Sequence, residues 1–249
     1  MNAISTNTGC PFKCIFCTKS RYPNHYFKPL NRVEKELQTY EENTQIKHYH
    51  VRDCEFGLNQ NKAIQNARLL GKYNTTWQTN NRADLQTLEL TEEMSAGGCQ
   101  AIKFGVETGN EKLRFWLNKK ITNKQITHAF NLCHDNNIET HAYFMVGIPH
   151  ENKTKIRETA KLIEEIQPEK ISVSILYPPK NTRLYEYLEQ NKLLKTHDSS
   201  KFRNNKLVFY HEHYKHHYQI KIAQAKLISA HRKQNNKLYA IIEELLNLF

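Results

Sequence analysis

Cys10, Cys14 and Cys17 stand in C-x3-C-x2-C spacing within the run CPFKCIFC, just after a short β-like stretch, Ala3-Ile4-Ser5-Thr6. Three thiolates on one tight loop can hold three irons of a [4Fe-4S] cluster, because soft sulfur ligands select iron-sulfur or zinc sites. No fourth cysteine lies nearby, so one iron would stay open to bind and activate a small molecule. A zinc half-site is the competing assignment. Tetrahedral structural zinc wants a fourth ligand at paired spacing, whereas Cys54, Cys99 and Cys133 are scattered singly. Disulfides fit less well still. No apolar signal peptide opens the chain, and clustered cysteines of this kind belong to metal or redox chemistry in a reducing compartment.

The elements that must position this loop follow from the apolar pattern. Strand-like runs recur at Ala3–Thr6, His48–Arg52, Thr76–Thr79, Ala101–Glu107, His141–Ile148 and Ile171–Tyr177. Helical periodicity fills the gaps, at Asn31–Glu42, at Asn61–Tyr73, from Thr91 to the Gly97-Gly98 stop, at Thr122–Asn136 and at Asn152–Ile166. Six alternations of strand and helix predict an α/β fold with a parallel sheet, an open partial (β/α)6 TIM-like barrel. In such a barrel the site lies at the C-terminal mouth of the strands. The cysteine loop follows the first of them directly. Residues 1–194 form the expected core. Residues 195–249 form a polar, His-rich and helical C-terminal extension whose helix is expected from about Tyr218 to Phe249. Ile222, Ala225, Leu227, Ile228, Leu238, Ile241, Ile242 and Leu245 would cover a flank of the barrel.

A chain of 249 residues suits one large α/β domain, and no run of about 18 apolar residues is present to span a membrane, so a cytoplasmic protein is expected. The net charge of +11 suits a polyanion such as nucleic acid, but the charges are dispersed, and abundant Asn and Lys with only 8 glycines also fit a biased genome. His213 and His217 would share a helix face at a zinc-compatible spacing. A solvated polar face is the alternative, and the H-E-x-x-H pattern fails because residue 215 is Lys.

The spacing of the three cysteines, with Phe16 immediately before the last, resembles the signature of the radical SAM superfamily. The other strand ends extend the likeness in unbroken order to about residue 192. Asp53-Cys54-Glu55-Phe56-Gly57-Leu58-Asn59 resembles the D-D-x-F-x-x-N of members that carry a cobalamin-binding domain. Arg82-Ala83-Asp84 is similar to their R-x-D, and Gly105-Val106-Glu107-Thr108-Gly109 to G-x-E-S-G, followed by Leu117-Asn118-Lys119. Phe144-Met145-Val146-Gly147-Ile148-Pro149-His150-Glu151 is close to F-M-x-G-x-P-x-E-T, and Pro178-Pro179-Lys180-Asn181-Thr182-Arg183-Leu184-Tyr185 to P-x-P-G-T-x-L-Y. Lys120, His150 and the pair Lys180-Asn181 stand where glycine is usual.

The resemblance implies that Cys10, Cys14 and Cys17 hold the cluster, and that its open iron is chelated by S-adenosyl-L-methionine (SAM), whose reductive cleavage yields a 5′-deoxyadenosyl radical. It assigns Phe16, Asp53, Arg82, Glu107, Thr108, Gly147 and Ile148 to the SAM pocket. On the residue types alone, a helix cap is the alternative for Asp53, and Arg82 is equally a salt-bridge partner of Asp84. The likeness further implies a reductant such as flavodoxin or ferredoxin, an unknown substrate, and methylation or another radical modification. Cobalamin is implied too, but its usual domain does not precede the cysteine loop. The expectation is a stand-alone or truncated core, with a separate cobalamin-binding protein as a candidate partner. RNA methylthiolation and a non-catalytic iron-sulfur or zinc scaffold are the alternative functions.

Overall fold

A computed structural model of the chain describes residues 2–21, 24–44, 46–198 and 206–232. Five of its helices begin with the same device. Asn59, Thr87, Asn110, Asn152 and Thr182 each accept a hydrogen bond from the backbone N–H three residues on, a cap whose loss costs about 1 kcal/mol. The helices are α1 (Leu30–Asn43), α2 (Gln60–Lys72), α3 (Leu88–Ala96), α4 (Glu111–Trp116), α5 (Asn123–Asp135), α6 (Lys153–Ile166), α7 (Arg183–Gln190) and α8 (His217–Arg232).

The strands are β1 (Asn2–Ile4), β2 (Asn7–Thr8), β3 (Tyr26–Phe27), β4 (His48–Val51), β5 (Thr76–Asn81), β6 (Cys99–Glu107), β7 (Glu139–Val146) and β8 (Lys170–Ile175). Six of them form one sheet in the order β1-β4-β5-β6-β7-β8, so every neighbour in the sheet is also the next long strand in the chain. Pairing is parallel from β1 through β6, with Ile4 opposite Val51 and Val51 opposite Thr79. This is the expected α/β partial barrel with helical crossovers.

Contacts divide the chain into two compact units. The first comprises Met1–Pro11, Tyr22–Gly105 and Lys124–Ala142. Its core holds Trp77, fully buried, whose indole N–H donates to the Gly97 carbonyl at 2.7 Å and whose ring meets Phe56 at 5.0 Å. The second comprises Phe12–Arg21, Val106–Asn123 and Tyr143–Phe249. There α8 packs on α6 and β8.

Several elements differ from the sequence expectation. Thr91 does not start a helix. Thr87 caps α3, and Thr91 is buried one turn in, its hydroxyl donating to the Thr87 carbonyl at 2.7 Å. The antiparallel pair β2–β3 and the short helices α4 and α7 were not anticipated, each being too brief to show a period. In α8 the buried positions are Ile220, Ala223, Leu227, Ser229 and Ala230, whereas Ile222, Ala225 and Ile228 are half-exposed, so the covering face is rotated from the one anticipated. Leu238, Ile241, Ile242 and Leu245 lie outside the described residues. His213 precedes α8 and shares no helix face with His217. Among the described residues no three His, Cys, Asp or Glu side chains gather into a metal-holding group.

Candidate active site

Gly9 opens the cysteine loop in a left-handed conformation (φ +82°), and a Cβ there would lie 2.0 Å from the Asn24 carbonyl oxygen, so only glycine fits. Cys10 and Cys14 are buried and Cys17 half-buried, and none of the six cysteines is in a disulfide. Cys10 belongs to the first unit, Cys14 and Cys17 to the second. The loop backbone is held at its centre. Ile15 donates to the Leu117 carbonyl and accepts from the Leu184 N–H, both at 3.0 Å, while Asn118 Nδ2 donates to the Lys13 carbonyl at 2.7 Å. After Cys17 the chain turns into a short 3-10 segment, Thr18–Arg21, with the Ser20 hydroxyl on the Cys17 carbonyl at 2.7 Å. Phe16 is half-buried in the turn between the last two thiols. The structure does not itself draw the three sulfurs into a metal-holding group. As a donor set, three thiols on one anchored loop fit a cluster with one iron left open.

In the first unit Asp53 is completely buried and saturated. Its carboxylate accepts from the Thr6 N–H (2.8 Å), the Asn7 N–H (3.0 Å), Asn7 Nδ2 (2.9 Å) and the Thr6 hydroxyl. Burial raises its pKa, and these hydrogen bonds work against the rise. It caps no helix, since Asn59 caps α2. Four donors match the acceptor capacity of a carboxylate, so Asp53 fastens the segment that leads into Cys10. Arg82 is 3% exposed, and its Nε and Nη2 grip Asp84 at 3.0 and 2.9 Å. The fork that could clamp a SAM carboxylate is thus engaged with a carboxylate of the chain itself.

In the second unit the end of β6 is built around Arg114. This fully buried guanidinium donates to the carbonyls of Val106 (3.2 Å), Ile121 (2.8 Å) and Thr108, and to Asn123 Oδ1 (2.7 Å). Burial lowers its pKa to about 10. Glu107 is left-handed (φ +69°), a strained state for a non-glycine residue, and its Oε1 accepts from Lys119 Nζ at 2.7 Å with both side chains more than nine-tenths buried. The Thr108 hydroxyl is 3.1 Å from that of Thr159 and accepts from the Asn110 N–H.

At the end of β7, Gly147 is also left-handed (φ +82°). The space where its Cβ would project holds Ile220 Cδ1 at 2.4 Å, so this glycine admits α8. Ile148 is completely buried, and its carbonyl lies 2.7 Å from His211 Nε2. Glu151 accepts from the Gly147 N–H at 2.6 Å and from the Tyr214 hydroxyl at 3.2 Å. Its other oxygen, Oε1, is buried without a hydrogen-bond partner, and burial pushes its pKa up to about 8.

Residue by residue, the chemistry expected of the sequence is therefore held in two local sets, one in each unit. Sequence reading missed Arg114, the Lys119 partner of Glu107, and the Glu151–Tyr214 contact. Their only signal was a charged residue inside a stretch otherwise read by its motif letters.

Residues 4–163 match the family described as the radical SAM superfamily. The chain belongs to it. Radical SAM proteins work with a [4Fe-4S] cluster and SAM, which agrees with the donor set of the cysteine loop. An uncharacterized methyltransferase of Pyrococcus horikoshii is 27% identical over 206 residues, covering 80% of this chain and 44% of the relative. The anaerobic magnesium-protoporphyrin IX monomethyl ester cyclase of Rubrivivax gelatinosus is 25% identical, over 72% of this chain and 33% of the cyclase. The chain thus spans less than half the length of either of these curated relatives. Among solved structures, a radical SAM methyltransferase of Kitasatospora setae with cobalamin and a [4Fe-4S] cluster bound superposes with a TM-score of 0.70 at 18% identity. It covers 80% of this chain and 41% of that one. Coproporphyrinogen III oxidase of Escherichia coli, also a radical SAM enzyme, gives 0.65 at 13% identity over 98% and 58%. These two establish the shared fold. Among the described residues no helix is long and apolar enough to cross a membrane.

Proposed function

We propose that the chain is the catalytic core of a radical SAM enzyme that modifies an unidentified substrate by methylation or another radical reaction, in the cytoplasm. The observation that carries this reading is the three-thiol loop, pinned through both the N–H and the C=O of Ile15 inside a chain that matches the superfamily from residue 4. When bound at Cys10, Cys14 and Cys17, a [4Fe-4S] cluster supplies an open iron for SAM and the electron whose transfer releases a 5′-deoxyadenosyl radical.

The chain's own residues then have distinct tasks. Asp53 fixes the approach to Cys10 through Thr6 and Asn7. In the first unit Arg82 offers a guanidinium for a carboxylate, with Asp84 as the partner it would exchange; in the second, Glu107 and Thr108 offer a carboxylate and a hydroxyl to SAM, with Lys119 as the partner Glu107 would share. Phe16, Gly147 and Ile148 shape the apolar side of the pocket. Residues 1–194 carry the chemistry and residues 195–249 extend it, with α8 packed against Gly147. A flavodoxin- or ferredoxin-like protein supplies the electron. Relatives named for methyl transfer and for cyclisation support a carbon-centred radical reaction, and the cobalamin bound by the Kitasatospora protein supports a cobalamin-binding partner or domain here.

Anaerobic reconstitution with iron and sulfide, then dithionite and SAM, should give 5′-deoxyadenosine, and Cys14→Ala should abolish it. A stable cluster with no SAM cleavage would instead support a scaffold. Absorption spectra after gel filtration with cobalamin test whether this chain retains that cofactor alone.

A further inference from the structure

Away from the cysteine loop, α6 and α8 enclose a cavity of about 220 Å³ within the second unit. Its floor is apolar, with buried Ile156 and half-exposed Ile222. Its rim is not. Lys153 and Arg157 project from α6 and Lys226 from α8, and among the described residues none that lines the cavity is acidic. Some surface cations of this chain are neutralised, as Lys28 is by Glu36, Arg68 by Glu93 and Lys72 by Glu34, while others stand singly; here three converge on one concavity. Lys153, Arg157 and Lys226 have no hydrogen-bond or ion-pair partner among the described residues. Three unneutralised cations around one concavity repel one another and favour occupation by an anion carrying more than one charge.

A second feature selects the kind of anion. Tyr218, on the same rim, is 61% exposed, and its ring stacks on His216 with centroids 5.6 Å apart and planes 9° from parallel. An exposed flat ring, fixed from behind by another, offers a platform for a planar group. A basic groove beside an aromatic platform is the arrangement that binds single-stranded nucleic acid, with phosphates on the cations and a base on the ring. A lipid headgroup or an acidic peptide would use the cations but would leave Tyr218 without a role.

We propose that the α6–α8 cavity binds single-stranded nucleic acid, with phosphates held by Lys153, Arg157 and Lys226 and a base stacked on Tyr218. This inference is independent of the cluster chemistry, because none of these residues belongs to the cysteine loop or the strand ends.

The test is fluorescence anisotropy of the full chain with a fluorescein-labelled 12-mer of oligouridylate at several salt concentrations. Three phosphate contacts predict a slope of log K against log[salt] of about −2, which corresponds to roughly 20-fold weaker binding between 50 and 200 mM salt. The triple variant Lys153→Gln/Arg157→Gln/Lys226→Gln should lose most of that slope. Tyr218→Ala should weaken binding about tenfold and leave the slope unchanged. A charge-matched control, Lys35→Gln/Lys124→Gln/Lys192→Gln, should retain nearly full affinity, with circular dichroism verifying the fold of every variant. The proposal is overturned if the two triple variants weaken binding equally, since net charge alone would then explain it. It is also overturned if Tyr218→Ala has no effect, if duplex RNA or polyglutamate competes as well as the single strand, or if no binding is seen at 50 mM salt. Uridine monophosphate competing as strongly as the 12-mer would replace the strand by a free nucleotide and refute the proposal as stated.

Discussion

Glu151 should make this protein less stable as pH rises, and Glu151→Gln should remove the effect. Its carboxyl is wholly buried, one oxygen serves Gly147 and Tyr214, and the other meets no partner. An uncharged acid tolerates that environment and a carboxylate does not, hence a pKa raised from 4.5 to about 8. The folded chain therefore keeps a proton that the unfolded chain releases above pH 4.5. Between that value and about 8 the unfolded state binds fewer protons, so stability falls with each step upward and levels off beyond the folded pKa. At about 1.4 kcal/mol per pH unit, the full window is worth about 5 kcal/mol at most, and about 3 kcal/mol is lost by pH 7. Glutamine keeps an acceptor for the Gly147 N–H and the Tyr214 hydroxyl and cannot ionise. Urea unfolding of wild type and variant, followed by tryptophan fluorescence at unit pH steps from 5 to 9, isolates the contribution as the difference between the two. That difference should shift by several kcal/mol in favour of glutamine as pH rises. A difference that is flat across the range, or one that moves toward the wild type, would refute the assignment of a neutral buried acid.

Gly147→Ala should destabilise by about 2–4 kcal/mol in thermal melts, combining left-handed strain with the 2.4 Å clash against Ile220; adding Ile220→Ala should recover the clash but not the strain. Lys119→Met should cost about 3–5 kcal/mol by stranding the Glu107 carboxylate, and the double variant with Glu107→Gln should cost clearly less, as measured by a double-mutant cycle in urea. Lys120→Gly, which relieves a φ of 53°, should stabilise by about 0.5–1 kcal/mol, a rise of a few degrees in Tm, whereas His150→Gly, at φ 68°, also loses the ring's contacts with Trp116 and Tyr187 and should leave Tm nearly unchanged.

Those last two positions also show what could be read from letters alone. The sequence departs from the usual glycine at Lys120, at His150 and around Asn181. In the fold all three residues are left-handed, Asn181 at φ 64°, so the backbone keeps the conformation that glycine adopts freely. The six alternations were legible because each long strand and helix repeats its apolar period several times. Elements of two to eight residues, such as β2, α4 and α7, carry too few repeats. The candidate site was legible as residue types and strand ends. Which group engages which was not, because that depends on residues distant in sequence. Asp53 is filled by Thr6 and Asn7, and Arg114 gathers Val106, Thr108, Ile121 and Asn123.

The double anchorage of Ile15 has a consequence for how the protein is made. The cysteines are translated before the backbone groups that fix their loop, which belong to Leu117 and Leu184 and emerge far later. Until α7 has been synthesised the loop lacks one of its two fastenings, and closing so long a chain segment is slow. The nascent thiols thus remain unrestrained through most of synthesis. The loop therefore takes its folded shape only after α7 has been made, and any group that needs Cys10, Cys14 and Cys17 in that shape is bound late.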